Sequence, residues 1–110
     1  MALPQSQPTI TLHGVSGAAY TFALYPWGIS FNPVPAVYSV LAQGPAGFGV
    51  VYVGETESLS TRFQNHQRQP CFDRKGKTHV AVLVEASPVR RLAIERDVML
   101  KYQPACNREV

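Results

Sequence analysis

The chain has 110 residues and a net charge of +3, from ten Lys and Arg against seven Asp and Glu, a length that suits one domain with a single core. No charge occurs from Met1 to Gly54, and that half holds eight of the eleven aromatics and seven of the eight glycines. Such a composition excludes a disordered tail, a collagen-like chain and a coiled coil.

Thr9 to Leu12 and Ala19 to Leu24 are short alternating runs around His13-Gly14-Val15-Ser16-Gly17, which predicts a β-hairpin. Tyr25 to Pro35 carries three prolines, Trp27 and Gly28, and reads as an irregular connector. Trp27 itself is expected in the core or capping the sheet edge, with base stacking as the alternative. Ala36 to Ala42 and Phe48 to Val53 are β-branched and aromatic runs around Gln43 to Gly47, a second hairpin signal. The period changes at Thr56. Leu59, Phe63 and His66 recur at helical spacing behind Thr56 or Ser58 as cap, and Pro70 is expected to end that helix. Arg74-Lys75-Gly76-Lys77 reads as a turn and His79 to Ala86 as a strand.

Ser87-Pro88 supplies an N-cap and a proline at the first helical position, opening a helix that runs to about Tyr102 before Pro104. A step of about 100° per residue places Val89, Leu92, Ala93, Met99 and Leu100 in one apolar stripe. Glu95 falls at its margin and Arg96 in its middle. The whole predicts an α+β domain, a small antiparallel sheet flanked by helices. Residues 1–35 form an N-terminal hairpin extension and connector on the same domain, and residues 36–110 the main unit.

No apolar run approaches the roughly 18 residues of a membrane span. The N-terminus lacks the basic start and apolar run of a signal peptide, so a cytoplasmic protein without membrane contact is expected. Cys71 and Cys106 are too few and too far apart to read as a disulfide framework, and are expected as buried, inert thiols. Arg62, Arg68, Arg74, Lys75 and Lys77 face only Asp73 in their window, a basic patch that fits either a polyanion footprint or a solvated helix and loop.

Tyr38 and Tyr52 fall on neighbouring strands of the second hairpin, and Gly54 is expected to let the backbone turn into the helix without a Cβ clash. Arg62 and His66, four apart, share one helix face. With Ala36-Val37-Tyr38, Tyr52-Val53-Gly54, Leu59-x-x-Arg62-x-x-x-His66, Glu95 and Pro104-Ala105-Cys106-Asn107 in this order, the chain resembles the GIY-YIG nuclease superfamily from Ala36 to Asn107.

The resemblance implies a compact module with a three-stranded antiparallel sheet, used by homing endonucleases, restriction enzymes and an excision-repair nuclease. Carried over, it implies Tyr38, Tyr52, Arg62 and His66 as catalytic residues. It also implies Glu95 as ligand to a single Mg²⁺ or Mn²⁺, with Gly54 and Asn107 supporting. The partner it implies is nucleic acid, most of all DNA, with Arg68, Arg74, Lys75 and Lys77 as contacts. The chemistry suits these residue types. Arginine offers a charged planar fork to phosphate, one carboxylate suits a largely hydrated Mg²⁺, and His66 and Tyr52 are both candidates to take a proton from water.

Two positions depart from the family pattern: Ala36 stands for the first glycine, and Glu55 follows Gly54, where an acid would repel a phosphate unless it turns away or joins metal binding. The alternative function is a binding or protein-interaction module of the same fold that does not cut. A further expectation is a homo-oligomer or protein partner meeting the uncharged N-terminal half.

Overall fold

A computed structural model describes residues 7–108. In chain order its elements are β1 (Thr9–His13), β2 (Ala19–Pro26), β3 (Ala36–Gly44), β4 (Gly47–Thr56), α1 (Leu59–Gln64), α2 (Gln69–Arg74), β5 (His79–Val84), α3 (Pro88–Tyr102) and α4 (Ala105–Arg108). The fold is α+β. Glycines close both hairpins from the left-handed region, Gly17 at φ +94° and Gly47 at φ +119°.

The strands form one sheet in the order β1-β2-β5-β3-β4, with every neighbouring pair antiparallel. The expected three-stranded core is therefore corrected to a five-stranded sheet that includes the first hairpin. The reason lies in β5, whose Val80, Ala81 and Val82 are all buried. That run is apolar on both faces, which calls for a strand in the interior of a sheet. It pairs with β3 along one side, from Ala36↔Val84 to Leu41↔His79, and with β2 along the other, from Ala23↔Val82 to Pro26↔His79. The two hairpins are thus zipped together by the last strand.

The sheet has two covered faces. On one, Leu12, Phe22, Val37, Leu41, Val53 and Ala81 pack with Ile94 and Val98 of α3. On the other, Tyr38, Val40, Val80 and Val82 lie under Leu59 of α1, Cys71 and Phe72 of α2, and Trp27, Phe31 and Phe63. Asp97 fastens the first hairpin to α3, accepting from the Ser16 amide at 2.9 Å, the Ser16 hydroxyl at 2.6 Å and the Tyr20 hydroxyl at 2.8 Å.

Three local expectations change. The inner face of α3 is Arg91, Ile94 and Val98; of the stripe read from the sequence only Met99 packs against the core, whereas Val89, Leu92 and Leu100, 78%, 55% and 43% exposed, face outward with Ala93. Arg96 is exposed as well. The helix is apolar on both sides, and tertiary pairing chose the side whose arginine reaches acceptors on the sheet. The exposed large apolar side chains therefore gather mainly on the charged half, not on the uncharged one.

The helix after Thr56 stops at Gln64, and Pro70 sits in the first turn of α2 instead of ending α1. That is the helical position where a missing N–H costs least. Cys71 and Cys106 are buried as expected but bonded to each other, their Cα atoms 5.8 Å apart, so that α2 is tied to α4. Their separation of 35 residues in the chain hid a contact that only the fold creates.

Candidate active site

The site begins with the pairing of β3 and β4, which sets Tyr38 opposite Gly54. A Cβ at Gly54 would lie 2.6 Å from the Tyr38 hydroxyl oxygen and 2.9 Å from Cε1 of Tyr52. Gly54 is therefore needed for the space taken by two phenols, beyond any freedom it gives the chain entering α1. Tyr38 and Tyr52 lie with ring centroids 6.0 Å apart on the aromatic face, and Phe63 packs edge-on to Tyr38 at 5.0 Å.

α1 is short, but its register carries Arg62 and, just beyond its end, His66 onto the same phenol. Arg62 Nε donates to Tyr38 Oη at 3.2 Å, and His66 Nε2 lies 2.7 Å from the same oxygen. The Arg68 amide donates to His66 Nδ1 at 3.1 Å. Phe72 and Tyr52 hold the imidazole between them, at centroid distances of 4.8 and 5.2 Å. Tyr38 is 0% and His66 5% exposed, while Tyr52 is half-buried.

The electrostatics follow from this packing. Burial drives the Tyr38 hydroxyl well above the usual phenol range, and the Arg62 bond offsets part of that. Burial, then the Arg62 and Arg68 charges, lowers His66 to about 4, so its ring is neutral near pH 7. Burial works against the Arg62 charge, but its bond to the Tyr38 hydroxyl and the nearby Tyr52 phenol outweigh that and raise it, so the guanidinium stays cationic. Arg62 also lines an open groove of about 370 Å³ with Thr56, Glu57, Ser58, Thr61 and Asn65.

Glu95 stands apart from this bonded cluster and meets it at the Gly54-Glu55 dipeptide. Burial, then the Glu55 charge, raises the Glu95 pKa, and the Glu55 backbone amide offsets part of that. The Glu55 side chain itself turns to Arg91, whose Nε donates to it at 2.9 Å. Nη1 of Arg91 donates to the Glu85 and Ala86 carbonyls. Asn107 clips the β4 edge one residue before Gly54, accepting from the Val53 amide and donating to the Val53 carbonyl, both at 2.8 Å. Its supporting position is that of a clamp on the strand that carries Tyr52.

The basic residues lie on the helical side of the aromatic face. Arg68 is beside His66, Arg74 and Lys75 are exposed at the end of α2, and Lys77 is ion-paired with Asp73 and sits 5.0 Å above the Trp27 ring. Trp27 packs edge-on to Phe63 and Phe72, a core residue behind the site. Sequence reasoning missed Arg91, which looks like a surface residue until its pairing with Glu55 is seen. It also missed Phe72, whose packing on His66 depends on where Pro70 starts α2.

The fold and the site together define an α+β domain whose single sheet buries a phenol–imidazole–guanidinium cluster on one face. No family model, curated protein or solved structure matches the chain.

Proposed function

We propose that this domain is a metal-dependent endonuclease hydrolysing phosphodiester bonds in DNA. The observation that carries the reading is the convergence of Tyr38, Tyr52, Arg62 and His66 on one point, with the Arg62 guanidinium lining an open groove. A buried polar cluster of this kind is costly to build for stability alone, and a cation placed at its mouth suits an anionic substrate.

Arg62 binds and orients the phosphate, since it spends Nε on Tyr38 and keeps the rest of its donor fork for other partners. Of the two phenols, the half-buried Tyr52 would meet a water beside that phosphate, and the fully buried Tyr38 would hold Arg62 and His66 in place. Glu95 fits a hard divalent ion: its carboxylate is half-buried, and its raised pKa marks a negative charge that a cation would relieve. Bound there, Mg²⁺ would supply charge neutralisation at the leaving oxygen. Glu55 is no obstacle, because its charge is matched by Arg91. Arg68, Arg74, Lys75 and Lys77 would contact the flanking backbone and make binding salt-sensitive.

Among the described residues no helix is long and apolar enough to cross a membrane. The Cys71–Cys106 disulfide suits an oxidising compartment better than the cytoplasm expected from the sequence. Purified protein is expected to nick or linearise plasmid DNA with Mg²⁺ or Mn²⁺, and Arg62→Ala and Glu95→Ala to abolish this while keeping the folded spectrum. Undiminished cutting by both variants contradicts the reading. Salt-sensitive binding without cutting by the wild type turns it toward the binding module.

A further inference from the structure

A helix side that faces water has no need of apolar residues, yet four of the five outward positions of α3 are apolar: Val89, Leu92, Ala93 and Leu100, around Arg96. Of the six large apolar side chains exposed among the described residues, this one stripe supplies three. Exposed apolar patches mark contact with another molecule. Their spacing along α3 follows the i, i+3, i+4, i+7 ridge on which a second helix packs. Leu100 also lines two open grooves of about 410 Å³ each, one beside Tyr20 and Ala93 and the other beside Met99 and Gln103.

Charge narrows the choice of occupant. Arg90 is paired with Glu85 and Arg91 with Glu55, and the Asp97 carboxylate is taken by Ser16 and Tyr20. Arg96, exposed in the middle of the stripe, makes no ion pair among the described residues. A second copy suits this face badly. Two-fold antiparallel pairing of α3 would bring Arg96 toward the same arginine of the other chain, with no free acid between them. The stripe, about 22 Å long and about 10 Å wide, offers roughly 200 Å² against the about 800 Å² per partner of a stable dimer. Lipid suits it no better, since insertion would carry the guanidinium toward hydrocarbon. A single helix laid along the ridge fits its length and width, and one acid on that helix answers the charge.

We propose that the outer side of α3 docks an amphipathic helix of an acidic protein partner, with apolar residues on Val89, Leu92 and Leu100 and a carboxylate on Arg96. The docking surface stands independently of the nuclease reading. α3 and α1 cover opposite faces of the sheet, so a partner here leaves the Arg62 groove open.

The test is a selection, with the full chain as target, from displayed peptides of about 15 residues, the length of α3. Each peptide is an amphipathic helix with Glu, Gln or Lys in the middle of its apolar side. The Glu peptides are expected to be enriched. Added to isotope-labelled protein, one of them should move the resonances of Val89, Leu92 and Leu100 and leave those of Tyr52 and Arg62 in place.

Leu100→Glu should weaken that peptide about 30-fold or more, because it sets a charge into a central apolar contact. Arg96→Glu should weaken it about tenfold or more and turn the preference toward the Lys peptides. Both side chains are exposed, so neither change should disturb the folded spectrum. No enrichment, enrichment blind to the central charge, or binding that both variants leave intact overturns the proposal. A dimer of the chain alone in sedimentation, dispersed by Leu100→Glu, would give the face to a second copy and overturn it too. So would binding to phosphatidylcholine–phosphatidylglycerol vesicles that the same change abolishes.

Discussion

Beneath α3 the buried core is mainly aliphatic, with Leu12, Val37, Leu41, Val53 and Ala81 beside Phe22 and against Ile94 and Val98; beneath α1 and α2 it is mainly aromatic, with Tyr38, Tyr52, Phe63, Phe72 and His66 in close contact. Each face takes in an arginine, and the two are used differently. Arg91 is closed on itself: Glu55 matches its charge, and two backbone carbonyls take further donors. Arg62 gives Nε to a phenol and turns the rest of its fork toward a groove. A buried arginine whose charge is matched within the protein contributes to the fold, whereas one facing a groove is poised for a ligand.

The largest stability effect should fall on the aliphatic face. Arg91→Ala leaves Glu55 without its partner and is expected to cost about 3–5 kcal/mol in denaturant unfolding. Arg62→Ala is expected to cost about 1 kcal/mol, the value of one lost hydrogen bond, while removing cleavage. Equal stability losses would break the contrast.

Next comes the disulfide. Replacing Cys71 and Cys106 by serine opens a loop of 35 residues and should cost about 3–4 kcal/mol in urea unfolding. The loosening should register at Trp27, which packs on Phe72 beside Cys71. Unchanged stability would place the bond outside the fold's support.

Gly54→Ala is expected to cost about 1–3 kcal/mol, because the new methyl group overlaps Tyr38 and Tyr52, and to slow cleavage by displacing both phenols. A fully active, fully stable variant would mean that the phenols do not need their present positions.

The smallest effect concerns acid. Hydrogen bonds from the Ser16 side chain, the Ser16 amide and Tyr20 hold the Asp97 carboxyl below its ordinary value. A carboxyl lowered by folding contributes stability above the unfolded value of about 4, and that contribution is lost as pH falls through the lowered folded value. Asp97→Asn should flatten this part of an acid titration of unfolding, with the first hairpin loosening from α3. An unaltered acid titration would show that the clasp adds nothing.

Much of this was legible beforehand, wherever the signal is local. The glycines at 17 and 47 mark both hairpins, and Ser87-Pro88 marks the start of α3, where Ser87 does accept from the Arg90 amide. The tyrosines, Arg62 and His66 were legible as a set because strand pairing and a four-residue helical step bring them together. Pairing across distance was not. Nothing in the alternation of β2 or β5 says that they are neighbours, which is why the hairpin looked like an extension. Hydropathy on α3 pointed to its outer side, since no count of apolar residues foresees an arginine finding Glu55. Cys71 and Cys106 meet only after α2 and α4 have docked on β4.

The most direct test is to add a short DNA duplex to isotope-labelled protein, without divalent ion so that the DNA stays intact, and to map which resonances move. The account predicts salt-sensitive shifts centred on Tyr52, Gly54, Arg62 and Arg68, with the outer side of α3 unmoved. Shifts centred on the outer side of α3, at Val89, Leu92 and Leu100, or no shifts at low salt, would contradict it.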